Sequence, residues 1–380
     1  MKAIYMDHAA TSPVHPQVIE AMVTSLQNDF GNPSSIHQFG RKTRHALDEA
    51  RSSIAKSIKA VPNEIIFTSG GTEADNLAII GAAKANVGKG QHIITTAIEH
   101  HAALNACKSL ETEGFEVTYL PVNEFGSISV QDLERAIRPE TTLITIMYGN
   151  NEVGTIQPIK EMAQISNDHD ILFHTDAVQA YGLIDLDVRD LGVDLLSVSA
   201  HKINGPKGVG FLYVKEGTKL VPYSQGGEQE RKRRAGTENV AGIVGMESAV
   251  KLMRTDREDK ARLYREMRET MVEIFNRESI QYHINGDQDN MLPHVFNVSF
   301  PDAKVEPMLM NLDLAGIAVS SGSACTAGSH EPSHVLKAMY GDNERTQTAI
   351  RFSFGYGNTV EDATQAAEEV VKIVNRLKKL

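Results

Sequence analysis

Tryptophan is absent and cysteine nearly so, with only Cys107 and Cys325 in 380 residues. Two thiols cannot build a disulfide framework or a four-thiolate metal site, so an apolar core must hold the fold, and their scarcity suits a reducing compartment. Positive charge is also in short supply. With 38 Lys and Arg against 49 Asp and Glu the formal net charge is −11, which argues against direct nucleic-acid binding through phosphate contacts. No apolar run approaches the roughly 18 residues of a membrane span. The start, Met1-Lys-Ala-Ile-Tyr-Met-Asp, lacks the apolar core and cleavage site of a signal peptide. These absences predict a cytoplasmic protein with no membrane contact. What is present, 41% hydrophobic and 23% charged residues, is ordinary for a globular chain long enough for two domains.

The pattern along the chain is α/β. Helices are expected at Pro16 to Leu26 and His37 to Ile58, and strands at Glu64 to Thr68, His92 to Thr96, Glu116 to Leu120, Leu143 to Tyr148, Ile171 to Thr175, Leu195 to Val198 and Gly210 to Val214. Seven strands alternating with helical stretches predict a wide, mainly parallel sheet covered by helices. After a helix from Asn239 to Met253 the texture changes. Tyr264, Met267, Met271 and Phe275 recur at helical spacing, which reads as packing. Strands at His294 to Phe300, Ala318 to Ser321 and Ile350 to Phe354, with helices near Lys304 to Leu314, Pro332 to Met339 and Val360 to Leu377, describe a smaller α+β domain. Thr359-x-x-Asp362 is a capping pattern for the last helix.

Chemistry collects at strand ends. Lys202 lies between two strand-like runs, in Ser199-Ala-His-Lys, and a lysine held there can lose its proton and act as a nucleophile, although a surface lysine in a turn has the same local sequence. Asp176, 26 residues earlier, also ends an apolar run. Together they offer an amine for an aldehyde and a carboxylate for a pyridinium nitrogen, the two contacts pyridoxal phosphate needs. Thr68-Ser-Gly-Gly-Thr72 joins a strand to a helix, where free backbone N–H groups favour phosphate, unless the glycines only make the turn. No G-x-G-x-x-G follows that strand, so a nicotinamide dinucleotide is disfavoured. His100 stands at a strand end and could stack on a cofactor or move a proton. Cys107, on an amphipathic helix, reads as core. Cys325 sits among small residues, Val319-Ser-Ser-Gly-Ser-Ala-Cys325-Thr-Ala-Gly, a setting from which a thiolate can be delivered. Arg351, on a strand with apolar neighbours, suits a carboxylate. The run Arg231 to Arg234, beside three acids, reads as a solvated or phosphate-facing loop.

The runs DHAATSPVHP, GNPSSIH, TSGGTEADNLAI, EHHAAL, GNNEVGTIQP, HTDAVQA, SAHKINGPKG, RRAGTEN, SSGSACTAG and IRFSFG, in this order, resemble the cysteine desulfurases of the IscS/NifS family. That family has the fold of type I pyridoxal phosphate transferases. The resemblance implies residues 1–15 packing near the active site, a large cofactor domain over 16–250 and a small domain over 251–380 carrying the cysteine loop. It implies that Lys202 holds the cofactor and moves protons, that His100 stacks on the ring and acts as acid, and that Asp176 keeps the pyridinium protonated. Asn151 and Gln179 are implied to reach the phenolic oxygen, and Gly71, Thr72, Ser199 and His201 the phosphate. Asn151 and Arg351 would hold the substrate carboxylate, and Cys325 would take sulfur from L-cysteine as a persulfide, leaving alanine. Thr237, in the R-x-G-T element, would reach the phosphate of a second copy, implying a homodimer. Acceptors in this group are iron–sulfur scaffold proteins and tRNA thiouridylases. Whether Cys325 also ligates an iron–sulfur cluster shared with a partner stays open, and no other metal ligand is expected. Rival readings are an aminotransferase or selenocysteine lyase, and a non-catalytic interaction protein of the same fold.

Overall fold

A run of residues buried on both faces of a sheet has no reason to alternate polar and apolar positions, and the central strands do not. Every residue of Ile65–Thr68, His92–Thr96, Thr141–Thr145, Leu195–Ser199 and Gly210–Val214 is buried. Only Glu116–Leu120, which begins with an exposed glutamate, has the half-covered look of an edge. The computed structural model describes residues 3–254, 257–301, 303–321 and 332–378. Its main sheet has seven strands in the spatial order Ile65–Thr68, Gly210–Val214, Leu195–Ser199, Leu172–Asp176, Thr141–Thr145, His92–Thr96, Glu116–Leu120. All neighbours are parallel except those of Gly210–Val214, which runs against both of its partners. The sheet is the one the sequence predicts. The fourth strand ends sooner than predicted, at Thr145, and the chain from Ile146 to Tyr148 keeps backbone bonds to His174 and Asp176 outside regular pairing.

The remaining six sheet strands all point their carboxyl ends the same way, and ligands of such sheets bind beyond those ends. Helices Pro16–Asn28, Gln38–Ser57, Gly71–Ala85, His101–Thr112 and Val240–Met253 match the sequence pattern closely. Helices Val130–Ala136 and Ile159–Asp168 are short and were not separately predicted.

A second, antiparallel sheet has Ala349–Ser353, Val295–Ser299 and His283–Asn285 in that order, covered by Arg257–Arg277, Val305–Leu314 and Val360–Leu377. Tyr264, Met267, Met271 and Phe275 all face its core, with Phe296, Phe300, Phe352 and Phe354. Thr359 and Asp362 form the reciprocal cap at the last helix. The strand predicted at Ala318 to Ser321 is shorter, Ile317–Ala318, and pairs with Ile4–Tyr5 from the chain's start. Ser320 instead exchanges backbone bonds with Arg351. Through these pairings residues 4–10 are laid between the small sheet and the ends of the large one.

Candidate active site

Five loops leaving the strand ends enclose a cavity of about 380 Å³. Gly71, Thr72, His100, Asn151, Asp176, Gln179, Ser199, His201, Lys202 and Arg351 all line it. Sequence separation of up to 280 residues is thus closed by topology alone.

At one end the helix Gly71–Ala85 begins. Its N-cap is Gly70, at φ 151°, which a residue with a side chain would adopt only under strain. A Cβ on Gly71 would come within 2.8 Å of Val178. The first-turn N–H groups of a helix have no intrahelical acceptor, and the helix dipole adds positive potential, so this floor suits a phosphate. Ser199 stands beside it, and His201, tied to Thr11 at 3.1 Å, closes the rim. Burial pushes His201 down to about 4, as do Lys202 and Lys207, so the ring is neutral at pH 7.

At the other end lies Asp176, whose Oδ1 accepts from the Val178 N–H at 2.8 Å. Burial raises its carboxyl to about 6, with the Val178 bond and Lys202 opposing. Behind it Asp75, 1% exposed, is raised well above the ordinary range by burial and by the charge of Asp176. Asp75 Oδ1 has no hydrogen-bond partner among the described residues. Of the pair, Asp75 therefore carries the proton at neutral pH and Asp176 the charge. His174, below both, is neutral, since burial pushes it to about 3, and it bridges Thr145 and Ser197 at 2.8 and 2.9 Å. A single ionised carboxylate with a cavity before it fits a pyridinium nitrogen.

His100 caps the helix His101–Thr112, its Nδ1 accepting from Ala102 N–H at 3.1 Å. That leaves the proton of the neutral ring on Nε2. Burial, then Lys202, holds it down to about 4, so it is uncharged at pH 7 and its Nε2–H is the proton it can offer. Lys202 Nζ donates to the carbonyls of Ala9 and Ala10, the latter at 2.7 Å. The N-terminal segment is thus part of the wall, which its small residues permit.

Arg351 is 2% exposed. Its Nη2 pairs with Asp7 at 2.8 Å and its Nη1 donates to the Asn151 carbonyl at 3.0 Å, while Nε–H has no hydrogen-bond partner among the described residues. Arg351 lines the cavity, and a guanidinium with donor capacity left there is a place for a carboxylate. Asn151 is set there by Asn150, whose amide spans Ile98 O and the N–H groups of Glu152 and Val153.

Thr237 is exposed and does not line the cavity of its own chain. Cys325 lies outside the described residues. The flanks of 322–331 are tied beside the cavity: Ser320 to Arg351, which lines it, and Ser333 to Glu152 and His334 to Glu99 O at 2.9 Å, both acceptors being next in sequence to a lining residue. Cys107 is in the core, its thiol pushed by burial up to about 12. The basic run is tied down too, with Arg234 on Glu73 at 2.7 Å and Arg233 on Asn63 O at 3.1 Å. Sequence reasoning gave no role to Asp7, Asp75 or His294, all of which touch the site. Asp75 lies within TSGGTEAD, one helical turn past Thr72, the signal that could have found it. Among the described residues no group of three or more His, Cys, Asp or Glu is placed to hold a metal ion, and no helix is long and apolar enough to cross a membrane.

A large sheet whose strand ends carry a lysine, a charged aspartate and a glycine-floored helix start has the layout of a type I pyridoxal phosphate enzyme. Residues 4–365 match the family model described as aminotransferase class-V. A Bacillus subtilis (strain 168) protein named "Putative cysteine desulfurase IscS 1" is 54% identical over 99% of this chain and 100% of its own. A solved structure titled "NIFS-LIKE PROTEIN" superposes with a TM-score of 0.93 at 35% identity, covering 99% of this chain and 100% of that one. Another, "SspA in complex with cysteine", gives 0.83 at 39% identity, covering 92% and 98%. The chain belongs to the class-V aminotransferase family, in its IscS/NifS cysteine desulfurase group, whose cofactor is pyridoxal phosphate.

Proposed function

We propose that the chain is a cysteine desulfurase that converts L-cysteine to L-alanine and takes the sulfur onto Cys325 as a persulfide. The observation that carries this reading is the convergence, in one cavity, of Lys202 and Asp176 with the Arg351 guanidinium. Bound pyridoxal phosphate supplies an aldehyde for the substrate amine and a ring that accepts electrons from the substrate carbon. Asp176 keeps the ring nitrogen protonated, and Gly71, Thr72, Ser199 and His201 hold the phosphate. Arg351 and Asn151 take the substrate carboxylate and so aim its Cα–H at Lys202, which removes that proton and returns one later. His100 offers its Nε2–H to the group that leaves.

The Cys325 thiolate then attacks the substrate sulfur. A sulfur–sulfur bond forms, the carbon–sulfur bond breaks, and its electron pair stays with the three-carbon fragment, which gains a proton and departs as alanine. L-cysteine plus thiol gives alanine plus persulfide, with no outside oxidant. The anchoring of Ser320 on Arg351, which lines the cavity, and of Ser333 on Glu152 beside it supports delivery of Cys325 to this point. The persulfide sulfur passes to an iron–sulfur scaffold or a tRNA thiouridylase, and the enzyme is a cytoplasmic homodimer in which the exposed Thr237 completes the phosphate site of the second copy. Lys202→Ala tests the core of the reading. It should bind the cofactor without turnover of L-cysteine, and wild-type rates of alanine release from that variant would end the proposal.

A further inference from the structure

Besides Arg351, the small sheet brings a second side chain against the site, on the far side of Lys202. His294, next to the Val295–Ser299 strand, is 6% exposed, and its Nε2 lies 3.1 Å from Oε1 of Gln179. Gln179 Nε2 donates to the Ala9 carbonyl at 2.9 Å, the same carbonyl that Lys202 holds. A carbonyl only accepts, so the amide atom facing Ala9 is nitrogen. Oε1 then faces His294, and the imidazole must be the donor, from Nε2. Its Nδ1 has no hydrogen-bond partner among the described residues. In a neutral ring the other tautomer would bury an unpaired N–H there and turn two acceptors toward each other at Gln179.

Burial pushes His294 down to about 3, with His8, Arg351 and Lys202 acting in the same direction. His8, Lys202, Lys260 and Tyr264 share a small cavity with it, and Arg351 stands on the paired strand. No carboxylate is among these neighbours. The ring is therefore a fixed neutral donor at neutral pH.

We propose that His294 is a positioning residue whose Nε2–H locks the Gln179 amide so that its nitrogen, not its oxygen, faces Ala9, Lys202 and the cavity. One N–H of that amide serves Ala9, leaving the second to meet the phenolic oxygen of the cofactor. With the amide free to turn, an oxygen would face that negative oxygen for part of the time. The proton of the cofactor–Lys202 linkage would then be held more tightly, because the deprotonated form keeps more charge on the phenolic oxygen. This inference rests on the cofactor assignment and not on sulfur transfer, so it is read without L-cysteine.

The experiment is a pH titration of the visible absorbance of the holoenzyme. His294→Leu should move the midpoint upward by roughly half a unit to one unit, the effect of one neutral hydrogen bond. His294→Gln, which keeps an N–H donor at similar reach, should restore most of the shift. In a Gln179→Leu background, His294→Leu should add nothing. An unmoved midpoint in His294→Leu, or an equal shift with and without Gln179, overturns the proposal. In the unmutated holoenzyme, nitrogen NMR of His294 should show the neutral Nε2–H tautomer from about pH 6 to about pH 9. An Nδ1–H tautomer or an imidazolium would refute it even if the leucine variant did not fold.

Discussion

Removing the Glu230 carboxylate should destabilise the large domain by about 3–5 kcal/mol. Arg51 and Glu230 form a two-pronged pair, at 2.7 and 2.6 Å, with side chains 8% and 2% exposed. The remaining capacity is used as well: Arg51 donates to Ile65 O at 2.8 Å, Phe67 N–H donates to Glu230 at 3.0 Å, and the guanidinium lies 4.6 Å over the Phe67 ring. Glu230, Arg231 and Lys232 sit at φ 44°, 58° and 66°, a left-handed turn of three side-chain-bearing residues that this pair holds in place. Glu230→Ala leaves a buried guanidinium unpaired, a loss of about 3–5 kcal/mol. Replacing both partners by apolar residues, Arg51→Met with Glu230→Leu, removes the unpaired charge and should recover all but about 1–2 kcal/mol of that loss. The assay is urea unfolding followed by circular dichroism at fixed cofactor and protein concentration. Because Phe67 leads into the phosphate floor and Arg234 grips Glu73 there, Glu230→Ala should also weaken cofactor binding. A single variant losing less than about 1 kcal/mol, or a double variant as unstable as the single, would refute the reasoning.

Stability should depend on pH with a turnover near neutrality. His8, His100 and His201, lowered to about 4, and His174 and His294, lowered to about 3, are neutral when folded and take up protons on unfolding below their usual 6.5, so stability falls as pH drops through that window. Glu99, raised by burial to about 8, and Asp176, raised to about 6, act oppositely, losing stability as pH rises above their unfolded values. Five histidines outweigh them on the acid side, so the urea midpoint should fall from pH 6.5 to about pH 5, and decline from pH 7 to about pH 8, where Glu99 and Asp75 hold protons in the folded state that they lose on unfolding. A flat acid limb would contradict the burial of these rings. Arg351→Lys keeps the charge but loses the Nε–H edge; KM for L-cysteine should rise roughly 10- to 100-fold with cofactor binding unchanged, read by steady-state alanine release. An unchanged KM would remove Arg351 from substrate binding.

Most strands were legible because double burial leaves short runs dominated by Ile, Leu, Val, Phe and Thr with no charged residue inside, and the site because its residues follow those runs directly. Lys202, Asp176 and the Gly70-Gly71 turn declare themselves at strand ends. Contacts made across the chain were not legible. Asp7 and Arg351 are 344 positions apart, and His294 reaches Gln179 across 115. Neither separation leaves a local period or motif to read. Helix Val130–Ala136 was hidden by its brevity, two turns being too short for a helical period to show. The basic run looked open-ended in sequence because its partners, Glu73 and Asn63, lie some 160 and 170 residues earlier.

The most direct test of sulfur transfer compares wild type with Cys325→Ser, measuring alanine and protein-bound persulfide formed from L-cysteine. Alanine and a persulfide from wild type, with neither from Cys325→Ser, is the predicted result. Equal alanine from both proteins, or none from either, would contradict the account.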